Sequence, residues 1–139
     1  NLDAWDGYPA ARERLFAMLR AHASNPISLA GDTHNGWAFN LTNVQSEAVG
    51  VEWGTPGISS PGLENYVPLP PEQMQALLKG ASHELVACDT SRRGWTKVTL
   101  TPEAATAQWR FVSSVIEPGY TTLAGPELVA TAGHRRLQP

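Results

Sequence analysis

The stretch ISLAGDTHNGWAFNL, residues 27–41, places a short apolar run before a polar turn and a second, alternating run. The run Ile27–Ala30 predicts a buried strand, and the alternation after the turn predicts a half-buried one. Between them Gly31 permits a sharp turn, and Asp32 and His34 follow at positions i and i+2. If the backbone there is extended, this spacing places both side chains on one side of the chain.

A carboxylate and an imidazole at one strand end suit a metal site. Carboxylate oxygen favours hard cations such as calcium, whereas imidazole nitrogen favours zinc, iron or manganese. The same two residues also fit an ordinary Gly-Asp turn with a surface histidine. On spacing alone, that second interpretation is favoured.

Composition excludes several classes of protein. The chain has 139 residues, about one domain, with a formal charge of -3 and 17% charged residues. It has no basic stripe of the kind that attracts nucleic acid, and no apolar run approaches the roughly 18 residues of a membrane span. Cys88 is the only cysteine, which excludes an internal disulfide, and we interpret it as a small buried hydrophobe.

The periodicity of apolar residues and the positions of Pro and Gly predict an α/β fold, with α+β as the alternative. The fold is expected to contain two helices and a mixed or mostly antiparallel sheet. The polar stretch around His83 is interpreted as a loop. Residues 1–117 are interpreted as the domain, and residues 118–139, which are rich in Gly, Pro, Thr and Ala, as an irregular C-terminal tail. The predicted elements are helices at 9–23 and 71–80, strands at 27–30, 36–43, 48–55, 94–101 and 105–115, and a Pro/Gly-rich loop at 56–71.

Four separated motifs resemble the C-terminal part of the PhoD-type alkaline phosphatase family, within the metallophosphoesterase superfamily. They are LDAWDGYPAARERL, GDTHNGWA, GVEWGTPGISSPG and SRRGWTKVTLTPEAATAQWRFV, at 2–15, 31–38, 50–62 and 91–112. The resemblance implies a two-sheet sandwich flanked by helices, with a centre containing calcium and iron. It also implies hydrolysis of phosphomonoesters or phosphodiesters by metal-activated water. In that family the G-D-x-H motif supplies late metal ligands, which identifies Asp32 and His34 as the candidates here.

Other family ligands, among them a cysteine, a tyrosine and an asparagine, would precede this sequence, and Cys88 follows the G-D-x-H motif in the wrong order to replace the cysteine. We therefore expect a C-terminal portion of a larger hydrolase, whose partners are the N-terminal part of the same enzyme and a phosphate-ester substrate. The isolated chain is expected to be inactive and to hold no metal tightly. The resemblance further implies an exported bacterial protein, periplasmic or extracellular.

Further polar residues are candidates for weaker roles. Asn35, Asp6 and Tyr8 are candidates for contacting substrate or supporting the metal ligands, against the simpler interpretations of a turn-former and a helix cap. Arg92 and Arg93 have side chains suited to clamping phosphate, but ion-paired arginines at a strand entrance are favoured. The alternative to a phosphoesterase is a noncatalytic β-rich interaction module in which Asp32 and His34 are incidental.

Overall fold

The computed structural model describes residues 3–138. They form two helices and seven strands, together with two short 3-10 turns at Trp5–Gly7 and Leu63–Asn65. Neither helix in this part of the chain is long and apolar enough to cross a membrane. In chain order the elements are α1 Pro9–His22, β1 Ile27–Ala30, β2 Gly36–Thr42, β3 Ala48–Gly54, α2 Pro71–Ala81, β4 Leu85–Asp89, β5 Gly94–Leu100, β6 Ala104–Val112 and β7 Thr122–Thr131.

The strands form two sheets. The first has the order β1-β3-β2-β4, in which β1 runs parallel to β3 and the other neighbours are antiparallel; the second, β5-β6-β7, is antiparallel throughout. This confirms the predicted α/β fold with a mixed sheet and the predicted pairing of β2 with β3. The expectation that β1 is buried was wrong, because β1 lies at the sheet edge, where Leu29 is 65% exposed.

The core lies between the two sheets. Trp53 from β3 and Trp109 from β6 are both 1% exposed and belong to one apolar cluster with Val51, Ala107 and Phe111. The indole Nε1 of Trp109 donates to the Gly54 carbonyl across the sandwich at 3.1 Å. Strict alternation along β6 therefore places its large side chains on the inner face, as the sequence pattern predicts.

Two strands depart from the sequence expectation. The stretch after His83 contains β4, which pairs with β2, and the segment expected to be irregular contains the ten-residue β7, which pairs with β6. Pro126 is compatible with β7 because this strand lies at a sheet edge, where a missing backbone donor is tolerated. Alternation resumes after it, since Leu128 and Ala130 are buried in the core.

The C-terminal residues close the fold against α1. The Arg135 guanidinium donates to the Arg20 and Ala23 carbonyls at 3.0 and 2.7 Å, where α1 leaves backbone acceptors without partners within the helix. The backbone of Leu137 donates to the Asn40 side chain at 2.8 Å, and its own side chain is buried. The second sheet and the segment after it are thus integral to the sandwich.

Candidate functional site

The G-D-x-H residues lie in the turn that leads from β1 to β2. The backbone amide of His34 donates to the Gly31 carbonyl at 3.1 Å, which closes a turn over residues 31–34, and His34 has a left-handed φ of 60°. The extended backbone assumed from the spacing of Asp32 and His34 was therefore wrong. Asp32 is exposed and His34 is half-buried, so both belong to the surface end of the first sheet.

The His34 ring is held in one tautomer by a backbone carbonyl. Its Nδ1 lies 2.9 Å from the Pro61 oxygen, and because a carbonyl oxygen only accepts hydrogen bonds, Nδ1 must carry the proton. In a neutral ring, Nε2 then has a free lone pair. A histidine that donates from one ring nitrogen to a carbonyl while its other nitrogen is free is the usual arrangement of a metal-ligating histidine.

Hydrogen bonds on both sides of His34 maintain its left-handed backbone. Its carbonyl accepts from the Gly57 amide at 2.9 Å and from the Arg93 Nη1 at 2.5 Å. On the other side of the turn, Trp37 Nε1 donates to the Thr33 hydroxyl at 2.6 Å. A non-glycine residue in this conformation costs about 1–3 kcal/mol, which the surrounding bonds must offset.

Asn35 connects this turn to the Pro/Gly-rich loop. Its side chain is 1% exposed, and Oδ1 accepts from the Leu63 amide at 2.9 Å. Within residues 3–138 its Nδ2 has no hydrogen-bond partner. The structure therefore gives Asn35 a bond to the loop that the turn-former interpretation did not foresee, and contact with substrate stays a prediction.

Within the described part of the chain, the structure brings Asp6 into no cluster of His, Cys, Asp or Glu side chains with the turn. Asp6 and Tyr8 are both exposed immediately before α1, where the Tyr8 amide bonds locally to the Trp5 carbonyl at 3.0 Å. Across residues 3–138, no three or more His, Cys, Asp or Glu side chains lie together as a metal-holding group. Asp32 and His34 are thus at most part of a ligand set, and a role for Asp6 or Tyr8 stays a prediction.

The two arginines before β5 are paired rather than free. Arg92 Nε donates to the Asp89 carboxylate at 2.7 Å, and its guanidinium lies 3.9 Å from the centre of the Phe111 ring. Arg93 is 7% exposed and forms an ion pair with Glu64. These contacts agree with the ion-paired interpretation.

Cys88 is buried in β4, as expected of a small hydrophobe. Burial raises the pKa of its thiol, with the neighbouring Asp89 acting in the same direction and Lys79 in the opposite one. A raised pKa keeps the thiol protonated near neutral pH, whereas metal ligation and nucleophilic attack both require the thiolate. This environment suits a structural cysteine.

Sequence reasoning did not identify Pro61, Glu64 or the specific contact that Arg93 makes. The Pro61 oxygen is a backbone atom 27 residues from His34, and Arg93 reaches the His34 carbonyl across 59 residues. Neither contact has a signal in residue type or spacing. The motif GVEWGTPGISSPG contains Pro61, so the resemblance marked the segment without giving the role of that residue.

Comparison with known proteins agrees with this architecture. The profile of the family described as PhoD-like phosphatase matches residues 1–109. The chain belongs to the PhoD-like phosphatase family. Alkaline phosphatase D of Bacillus subtilis (strain 168) is 32% identical over 124 residues, which cover 86% of this chain and 20% of that protein.

A solved structure of PhoD gives the fold of this family member independent support. It superimposes with a TM-score of 0.76 at 24% identity, covering 99% of this chain and 26% of the PhoD chain. The two-sheet arrangement is therefore the one found within PhoD. The chain spans about a fifth to a quarter of the length of these two relatives.

Proposed function

We propose that this chain supplies Asp32 and His34 to the metal centre of a phosphoester hydrolase. The observation that carries the proposal is the His34 ring, which lies on a turn that also exposes Asp32. Its Nδ1 donates to the Pro61 carbonyl, and within residues 3–138 its Nε2 has no hydrogen-bond partner. Membership of the PhoD-like phosphatase family supports the reaction class. Calcium and iron are the proposed metals, on the basis of the family resemblance.

The donor chemistry of the turn fits such metals. Asp32 offers a carboxylate to a hard cation, and His34 offers an imidazole nitrogen to a transition metal. When bound, the metals would supply positive charge that polarises the phosphate ester. Calcium takes six to eight oxygen ligands and a closed zinc site takes four, so two residues make an incomplete set.

The remaining ligands are proposed to come from the N-terminal part of the same enzyme. The surface beside the turn has exposed apolar side chains consistent with such a neighbour, since Leu29 of β1 is 65% exposed and Ile58, next to the Gly57 that donates to the His34 carbonyl, is 78% exposed. Covering these side chains would remove apolar surface from water, which favours association. The 139-residue chain by itself is therefore proposed to be inactive.

Within the intact enzyme, each residue of the turn has a distinct task in this proposal. Asp32 brings a negative charge to an exposed position, and the Pro61 carbonyl holds the His34 ring so that no rotation is needed when a metal binds. The bond from Trp37 to Thr33 fixes the backbone between the two ligands. Such preorganisation lowers the entropy cost of assembling the centre.

Two substitutions of His34 in the full-length protein separate the hydrogen bond that Nδ1 donates from the ligand position at Nε2. His34→Asn places an amide near the position of Nδ1, keeps a donor for Pro61 and tolerates a left-handed backbone, but has no atom at Nε2. His34→Gln reaches the position of Nε2 with a poorer ligand. We expect His34→Asn to lose bound metal and to reduce hydrolysis of a chromogenic phosphate ester by more than the roughly 10- to 100-fold typical of losing a supporting residue.

The control is Arg92→Lys, which lies outside the turn and keeps a positive charge near Asp89. It should retain metal and turnover. Normal metal content and turnover in a folded His34→Asn protein would overturn the ligand role and favour the interpretation in which His34 is incidental.

A further inference from the structure

The buried Arg93 side chain links three separate segments around the candidate site. Its guanidinium donates to the His34 carbonyl at 2.5 Å and to the Ser91 carbonyl at 3.3 Å, and it forms an ion pair with Glu64 in the Pro/Gly-rich loop. A guanidinium that is only 7% exposed is costly to bury unless it is paired and hydrogen-bonded. Arg93 meets that requirement by joining the turn, the loop and the entrance to β5.

Glu64 carries this link into the backbone of the loop. Its Oε1, which pairs with Arg93, also accepts from the Gly62 amide at 3.2 Å. Two further bonds hold the same few residues, because the Leu63 amide donates to Asn35 and the Asn65 amide donates to the Gly62 carbonyl at 3.1 Å. The loop immediately after Pro61 is thereby fixed against the turn.

Close packing at Gly62 shows how tightly these groups converge. A Cβ atom added there would lie 2.4 Å from Asn35 Nδ2, 2.8 Å from Glu64 Oε2 and 2.9 Å from Arg93 Nη1. All three are closer than a real Cβ contact allows, so a side chain at this position would displace the cluster. The absence of a side chain lets Pro61 place its carbonyl 2.9 Å from His34 Nδ1.

We propose that Arg93 and Glu64 are a positioning pair that sets the tautomer of His34. Neither side chain forms a hydrogen bond with the His34 ring. By fixing the turn through the His34 carbonyl and the loop through the Gly62 amide, they keep the Pro61 oxygen where it accepts the Nδ1 proton and leaves Nε2 free. An imidazole without such a partner in water favours the proton on Nε2, the opposite tautomer. The consequence for metal binding rests on the proposed function, whereas the consequence for the tautomer does not.

The test uses the full-length protein and two readouts. Nitrogen-15 chemical shifts of labelled histidine, measured on the metal-free protein with His34→Asn to assign the signal, report which ring nitrogen carries the proton. Competition with a chelator reports the affinity for calcium and for ferrous iron separately. The variants are Glu64→Gln, which keeps an acceptor at Oε1 but removes the charge, Glu64→Ala, and Arg93→Lys, with Arg92→Lys as the matched neighbour.

We expect Glu64→Ala and Arg93→Lys to shift the His34 proton toward Nε2 and to weaken metal binding by roughly 10- to 100-fold, the usual cost of losing a supporting partner. Glu64→Gln should show a smaller change of the same kind, and Arg92→Lys none. Because Glu64 is half-buried rather than buried, its variants keep the test informative if Arg93→Lys unfolds.

Two results distinguish this inference from the proposed function. If the folded Glu64 variants keep the wild-type tautomer and metal affinity while His34→Asn loses metal, the positioning pair is overturned and the ligand role stands. If His34→Asn keeps its metal, the ligand role fails, and the tautomer alone decides the inference. A shift of the His34 proton toward Nε2 in Glu64→Ala then supports the positioning pair, whereas a proton that stays on Nδ1 overturns it.

Discussion

Replacing Trp109 with Phe should reveal how much the bond between the two sheets contributes to stability. Trp109 and Trp53 are equally buried, at 1% exposure each, in the same core cluster. Their indole nitrogens differ: Trp109 Nε1 donates to the Gly54 carbonyl, whereas Trp53 Nε1 has no partner within the described part of the chain. The pair of substitutions therefore separates the hydrogen bond from the change in ring size.

The magnitude follows from these contacts. Trp109→Phe removes two ring carbons, worth about 1.6 kcal/mol at roughly 0.8 kcal/mol per buried carbon group. It also removes the donor to a buried carbonyl, worth about 1–3 kcal/mol, so the free energy of unfolding should fall by about 2.6–4.6 kcal/mol. Trp53→Phe loses similar apolar area but relieves a buried donor without a partner, so its net cost should be at least 1 kcal/mol smaller.

Equilibrium urea unfolding of the 139-residue chain, followed by far-ultraviolet circular dichroism, measures both values without relying on tryptophan emission. Trp95→Phe on β5 is the surface control, since Trp95 is 41% exposed, and it should change stability by less than about 0.5 kcal/mol. Equal losses for Trp109→Phe and Trp53→Phe would refute the reasoning about the bond to Gly54.

Three further predictions concern packing, reactivity and completeness. Gly50→Ala should destabilise the chain by about 1–3 kcal/mol or more, because the added Cβ would lie 2.4 Å from the Pro26 carbonyl oxygen. Gly80→Ala on α2, where the added Cβ meets open space, should stabilise the chain by up to about 1 kcal/mol. The urea midpoints of the two variants compare these effects, and equal midpoints would contradict the packing described at Gly50. Since burial raises its pKa, Cys88 should react with iodoacetamide at pH 8 far more slowly in the folded chain than in urea, and equal rates would show that the thiol is accessible. The isolated chain, once circular dichroism shows that it is folded, should bind calcium and ferrous iron weakly in calorimetry and should hydrolyse no chromogenic phosphate ester. Micromolar binding together with turnover would refute the interpretation of this chain as part of a larger enzyme.

The sequence predicts the strands whose side chains alternate clearly. The pattern around Trp109 indicates β6 because apolar residues recur at every second position, and burial follows that pattern. In β7, Gly125 and Pro126 interrupt the pattern and hide a ten-residue strand that tertiary pairing with β6 stabilises. In β4 only five residues lie between a polar stretch and a turn, which is too short for periodicity to identify.

The candidate site likewise contains residues that the sequence predicts and contacts that it does not. Asp32 and His34 are close in sequence and carry distinctive chemistry, so a local motif identifies them as candidates. The partner of the His34 ring is the backbone oxygen of Pro61. Every residue has a backbone carbonyl, so residue type does not indicate which carbonyl accepts this bond. The pairing of Arg93 with Glu64 depends on how a 29-residue separation closes in three dimensions, which residue types alone do not specify.

The most direct test of the central claim is a crystal structure of the full-length protein with anomalous diffraction recorded on both sides of the metal absorption edge. The proposal predicts a transition metal at about 2.0–2.2 Å from His34 Nε2, with Nδ1 still bonded to the Pro61 carbonyl, and a metal ion at coordinating distance from the Asp32 carboxylate. A metal centre that is fully occupied without a ligand from either Asp32 or His34 would contradict it.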